Sequence, residues 1–201
     1  MAWTHSPEAP LPIAVLVSGT GTNLQALLDT VHGREAQVVA VASNVADAPA
    51  LGRARARSVP TAVFPRSRYP DRAARDEAMA EWLIERGVRL VVLAGFMELL
   101  SPAFLERFPQ AVLNVHPSLL PAYPGLGAIE QALAHGEERF GVTVHHVDAG
   151  IDTGPVILQE AVELPGASDP AVVLAALRPL EHKLLPEAVR QIAAQRRLVA
   201  A

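Results

Sequence analysis

The chain has 201 residues, of which 50% are hydrophobic and 19% charged, with a formal net charge of −4 and no cysteine. That length and apolar content suit one folded domain with a sizeable core rather than a disordered segment. A weakly acidic chain with no basic block is not expected to wrap nucleic acid or coat an anionic membrane. Without cysteine it can carry no disulfide framework, thiolate nucleophile or Cys-ligated metal.

The first ten residues show no basic run followed by a long apolar stretch, so they read as a short Pro-containing tail and not as a signal peptide. Ile13 to Val17 is an apolar run of strand length, and the segment from Asn23 to Val31 places Leu24, Leu27 and Leu28 on one helical stripe. A second strand is expected over Val38–Ala42, a helix over Ala50–Ser58 and a third strand over Thr61–Phe64. Asp71, directly after Pro70, suits the N-terminal end of a long helix to Gly87, with Met79, Trp82 and Leu83 at core spacing. Leu90 to Leu93 is a fourth strand, and the apolar run that contains it, to Met97, is too short to span a bilayer. Continuous apolar strands alternating with helices indicate a parallel sheet covered on both faces.

A further short strand begins at Ala111 and runs through Asn114 and His116 to Pro117. The pattern then changes to a loop rich in proline and glycine from Pro117 to Gly127, with a helix over Ala128–His135. Gly141–Val147 and Val156–Leu164 read as two strands, and the short connection between them favours an antiparallel pair. A last helical segment is expected over Asp169–Arg197, with possible kinks at Pro179 and Pro186. No internal repeat or linker divides the chain, so a single domain is expected over residues 1–201.

Three groups of residues could carry chemistry. Asn114 and His116 share one strand face, at the strand end where open α/β sheets collect ligands. The imidazole can move a proton near neutral pH, and the amide can donate to an oxygen gaining negative charge. Alone, the pair also fits a capping Asn and a satisfied loop His. The loop Ser18-Gly19-Thr20-Gly21-Thr22-Asn23 leads from a strand into a helix and can turn backbone N–H groups toward a phosphate, or be an ordinary tight turn. It lacks the Gly-Lys-Ser/Thr of a P-loop and the third Gly of the dinucleotide fingerprint, so a phosphate monoester fits better than a pyrophosphate. Asp148 and Asp152 lie in a Gly-rich loop. A turn-capping role is the better reading for Asp148, while a carboxylate near an imidazole would orient it. His145 and His146, adjacent in a strand, read as one core and one surface histidine; His135 can cap a helix end. Glu181 and His182 read as part of a solvated helix face. With no His-Glu-x-x-His and no Cys/His cluster, no metal is expected.

Taken in order, Val17 to Leu24, Ser43-Asn44, Leu93 to Met97, Asn114 through Pro121 with Tyr123-Pro124-Gly125, and Asp152 to Ile157 resemble the phosphoribosylglycinamide formyltransferases, over nearly everything from Ile13 to Pro186. The resemblance implies an α/β formyltransferase fold. That is a Rossmann-like, mostly parallel twisted sheet with helices on both faces and an antiparallel strand pair in the C-terminal half. It implies formyl transfer from 10-formyltetrahydrofolate, as cosubstrate, to the amine of glycinamide ribonucleotide in purine synthesis. It implies a phosphate-binding half over about 12–110 and a catalytic, folate-binding half over about 111–190, with Asn114, His116 and Asp152 as the catalytic trio. Gly19, Thr20, Gly21, Thr22 and Asn23 would hold the ribonucleotide phosphate, and Glu181 the ribose hydroxyls. Met97, Glu98, Leu99 and Leu100, with Asp148, Ala149 and Gly150, would form the pterin pocket. Backbone groups are expected to read the pterin there, so that the Glu98 side chain matters little.

The sequence departs from its relatives at Gly127 and Ile129, where histidines are common, at Glu98, where some carry a basic residue, and at Arg178, where a neutral polar residue occurs. The alternatives are a 10-formyltetrahydrofolate hydrolase and a non-catalytic nucleotide-binding module. The hydrolase is expected to carry an N-terminal regulatory domain, and a methionyl-tRNA formyltransferase an extra C-terminal domain and a more basic surface. The expected partners are small-molecule substrates, with no nucleic acid or membrane, for a cytoplasmic monomer or homodimer.

Overall fold

The computed structural model describes residues 9–200, so the expected N-terminal tail falls largely outside the described residues. Among them, seven strands form one sheet. They are β1 (Leu11–Val17), β2 (Ala36–Ser43), β3 (Thr61–Val63), β4 (Leu90–Leu93), β5 (Val112–His116), β6 (Arg139–His146) and β7 (Val156–Glu163), in the spatial order β3-β2-β1-β4-β5-β6-β7. The first five are parallel. Strand β6 runs antiparallel to β7, which is the expected pair, and also to β5.

The apolar runs explain the interior strands. Ile13 to Val17 and Leu90 to Val92 have no exposed surface, as strands covered on both faces must. At the edge, β7 alternates less cleanly and carries Glu160, which pairs with Lys183 at 2.6 Å. A charged edge discourages pairing with another sheet.

The helices follow their sequence signals. They are α1 (Thr22–Thr30), α2 (Pro49–Ala56), α3 (Arg72–Ile84), α4 (Pro102–Arg107), α5 (Ala128–Ala134) and α6 (Pro170–Ala200). Asp71 caps α3 by accepting the Ala74 N–H at 2.8 Å. Helix α4 has no counterpart among the expected elements. Ser101 caps it and Pro102 occupies its first turn, both ordinary start signals for a helix too short to show a hydrophobic period. Helix α6 continues through Pro179 and Pro186 and packs on α1, β6 and β7. From β1 the chain crosses one way to β2 and β3, then returns to place β4 on the other side of β1. The C-terminal ends of β1 and β4 therefore flank the crevice where open α/β sheets bind ligands.

Candidate active site

Strand β5 ends at that crevice. Asn114 pairs in register with Leu93 of β4 and with His145 of β6. His116 and His145 are almost fully buried. Asp152 arrives from the loop between β6 and β7, with φ 53°. Its Oδ2 lies 3.3 Å from His116 Nδ1 and accepts the Gly125 N–H at 2.8 Å. Its Oδ1 accepts from Asn114 Nδ2 at 3.2 Å and lies 3.4 Å from His145 Nε2. The structure thus brings Asn114, His116 and Asp152 together around one carboxylate.

The histidine hydrogen bonds assign their protons. His116 Nε2 faces the Tyr123 carbonyl at 2.8 Å and must donate to it. Its Nδ1 then faces Asp152, so a second proton on the ring would sit between imidazole and carboxylate. His145 Nδ1 likewise donates to the His146 carbonyl at 2.8 Å, leaving Nε2 beside Asn114 Nδ2 at 3.3 Å and Asp152. The His145 hydrogen bond, then the Gly125 N–H and the charge of the two histidines, hold the Asp152 carboxyl down to about 2, against the opposing effect of burial.

Asn114, His116 and Asp152 border a cavity of about 390 Å³, walled by Gly95 to Leu100, Gly125 to Ala128 and Gly150 to Asp152. Eight large apolar residues are exposed among the described residues, and Met97, Leu99, Leu126 and Ile151 all line this cavity. Such clustering marks a ligand surface rather than scattered exposure. Gly150 lines the cavity; Asp148 and Ala149 do not. Asp148 Oδ1 instead accepts from the Gly150 N–H at 3.0 Å and Thr153 Oγ1 at 2.7 Å, the turn-capping role.

The Gly-rich loop lies beside this cavity, tied to it where the Ser18 N–H donates to the Gly95 carbonyl at 3.0 Å. Gly19 and Thr20 are exposed. Arg53 Nε fixes the Thr20 carbonyl at 2.8 Å, and the N–H groups of Thr22, Asn23 and Leu24 find no acceptor among the described residues. Unpaired N–H groups at a helix start attract an anion. Glu181 does not lie on a solvated face: α6 packs on α1, and Glu181 Oε2 accepts from Asn23 Nδ2 at 2.9 Å in a buried contact. Burial pushes the Glu181 carboxyl up, opposed by the Asn23 hydrogen bond and Arg178. Asn23 Oδ1 is buried with no partner among the described residues.

The departures have structural accounts. Gly127 starts α5 with φ 70°, and Ile129 is part of the core. Glu98 pairs with Arg75 Nη1 at 2.6 Å. Sequence reasoning missed His145 at the site, because period-2 geometry says only that a strand residue faces inward. That it faces Asn114 is a property of the β5–β6 register. Of the adjacent pair, expected to be one core and one surface histidine, His145 is the core member and His146 is half-buried rather than on the surface. Among the described residues no group of three His, Cys, Asp or Glu side chains is disposed to hold a metal ion.

A model of the formyl transferase family matches residues 11–189. The chain is 39% identical to a phosphoribosylglycinamide formyltransferase from Haemophilus influenzae over 89% of its own length and 85% of that protein. It is 40% identical to the trifunctional purine biosynthetic protein adenosine-3 of Homo sapiens over 90% of its length, spanning 18% of that longer protein. Among solved structures, glycinamide ribonucleotide transformylase 1 from Symbiobacterium toebii superimposes with a TM-score of 0.88 at 44% identity, covering 93% of this chain and 89% of that one.

Proposed function

Because the chain belongs to the formyl transferase family, we propose that it transfers the formyl group of 10-formyltetrahydrofolate to the amine of glycinamide ribonucleotide, yielding formylglycinamide ribonucleotide and tetrahydrofolate in purine synthesis. The observation that carries this is the Asp152 carboxylate, shared by Asn114 and His116 at the wall of an open apolar cavity. The cavity suits a flat heteroaromatic ring. Its apolar rim offers contact area. The N–H groups of Glu98, Leu99 and Leu100 and the carbonyls of Met97, Glu98 and Leu100 have no protein partner among the described residues. The folate supplies the formyl carbon.

The protein's own groups do the rest. Thr22, Asn23 and Leu24 N–H groups, with the Gly19 to Gly21 backbone, bind the ribonucleotide phosphate, and Glu181 with Asn23 takes the ribose hydroxyls. Remote binding of this kind orients the amine. As charge gathers on the carbonyl oxygen, Asn114 Nδ2 and His116 Nε2 donate to it in exchange for the Asp152 and Tyr123 oxygens they meet in the free protein, each well-placed donor being worth on the order of 10²–10³ in rate. Asp152 keeps the His116 ring oriented, and the proton that the attacking amine sheds passes by way of this pair and water to the departing nitrogen, so that one proton is lost and one gained. The setting is cytoplasmic and the partners are small molecules. No metal enters the mechanism.

The test is to follow tetrahydrofolate release spectroscopically with and without glycinamide ribonucleotide. Release that requires the ribonucleotide is expected. Release without it would make the chain a hydrolase, and no release with either would leave a binding module.

A further inference from the structure

Arg75 and Asp76 are adjacent in α3, and neither side chain reaches solvent. Sealing charges inside a protein is costly unless every donor and acceptor finds a partner. Arg75 donates to Asp76 Oδ1 through Nε and Nη2 at 2.8 and 2.7 Å, to Glu98 Oε2 through Nη1 at 2.6 Å, and to the Leu99 carbonyl at 3.3 Å. Asp76 Oδ2 accepts the Ser101 N–H at 2.6 Å. From the other side, Asn44 Nδ2 donates to Glu98 Oε1 at 3.4 Å. Ser18 Oγ donates to Asn44 Oδ1 at 2.6 Å and accepts the Met97 N–H at 2.9 Å.

The consequence is a pattern along the cavity wall. Met97, Leu99 and Ser101, every second residue, each have one backbone group tied to a side chain behind the wall. Glu98 and Leu100, between them, keep both backbone groups free. The same side chains join this wall to Ser18, at the root of the Gly-rich loop. We infer that Arg75 and Glu98 are a positioning pair for the folate cavity: their ion pair fixes the 97–101 segment so that its free backbone groups face the heteroaromatic ring. Glu98 then acts through Arg75 and not by touching ligand charge, and its side chain matters more than a purely backbone-lined pocket would require. This inference rests on the formyl-transfer reading proposed above.

The test uses the full chain. Wild-type turnover with both substrates is measured first; its absence would sink the formyl-transfer assignment itself, independently of the pair. With an active wild type, Glu98→Gln keeps an oxygen for Arg75 but removes the charge, and Glu98→Arg sets a second cation against a guanidinium that solvent cannot reach. The folate KM should rise about threefold in Glu98→Gln and at least about tenfold in Glu98→Arg, as expected when a buried cation loses its partner or gains a like charge. The ribonucleotide KM and kcat should change by less than about threefold, since the chemical groups on β5 are untouched. A wild-type folate KM in Glu98→Arg would overturn the pair's positioning role. So would a parallel rise of both KM values with falling kcat and melting temperature, which a merely structural ion pair predicts.

Discussion

Asp152 stands at φ 53°, a backbone conformation that Asp tolerates better than most residues. That geometry lets its two oxygens serve four groups, Gly125, His116, Asn114 and His145, from one short loop. Asp152→Asn preserves shape and removes charge, so turnover should drop by at least about 10²-fold while both substrates still bind. Stability should respond to pH in a defined window. The Asp152 carboxyl titrates at about 2 in the folded chain against an ordinary 3.8, so its contribution is complete above the ordinary value and is lost as pH falls toward about 2. The stability difference between wild type and Asp152→Asn, followed by denaturant titration, should be flat above that window and shrink within it; a difference that grows on acidification would contradict the pairing. Glu181 has the opposite sign. Its carboxyl is raised by burial, so the folded chain is best served below the ordinary carboxylate range and loses stability as pH rises through the folded value. Glu181→Gln should therefore melt higher than wild type at neutral pH without ligand. It should also raise the ribonucleotide KM by roughly ten- to a hundredfold, the scale of losing a charge-assisted hydrogen bond. A variant that melts lower and binds normally would return Glu181 to a structural role.

At the N-terminus of α1 two glycines of one loop have different tasks. Gly21 has φ 74°, and a Cβ there would lie 2.5 Å from Ala50 Cβ and 2.8 Å from its Cα. A Cβ added at Gly19 would meet nothing within 4 Å. Gly21→Ala should thus lower the melting temperature, at a cost of roughly 1–3 kcal/mol for strain and overlap. Gly19→Ala should leave the melting temperature unchanged and raise the ribonucleotide KM, on the order of tenfold if its backbone approaches the phosphate. Paired melting and KM measurements separate the two, and an unchanged ribonucleotide KM in Gly19→Ala would move the phosphate elsewhere. The strands and long helices are legible in the sequence because burial on both faces writes continuous apolar runs, as in Ile13–Val17, and because Asp71 and Pro70 punctuate α3. Asn114 and His116 are legible by period-2 geometry. What sequence order does not supply is contact between distant elements. The β5–β6 register puts His145 opposite Asn114. The packing of α6 on α1 buries Glu181 against Asn23. Arg75 is, by sequence, one more polar position of an amphipathic helix; only the 97–101 segment closing over it makes it a buried cation.

The whole sheet sets how the two substrates meet. Strands β1, β4 and β5 are consecutive, so the Gly-rich loop after β1 and the His116 end of β5 lie two strand spacings apart, roughly 10 Å. A ribonucleotide anchored by its phosphate at α1 can carry its amine across the end of β4 to Asn114 and His116. The 390 Å³ cavity opens at that same end of β4 through Gly95 and Phe96. Donor and acceptor sites therefore adjoin at one crevice, and the bound amine needs no carrier to reach the formyl carbon. The chain has no cysteine, and the polar side chains around Asp152 are amide, imidazole and carboxylate already engaged with one another. Direct transfer within a ternary complex follows. Initial rates measured over a grid of both substrate concentrations should give intersecting double-reciprocal lines, and mass spectrometry of the protein incubated with the folate donor alone should show no added formyl group. Parallel lines together with a formylated protein would mean that a side chain carries the group between two half-reactions, the signature of covalent catalysis, and would break the link between adjacent sites and direct attack.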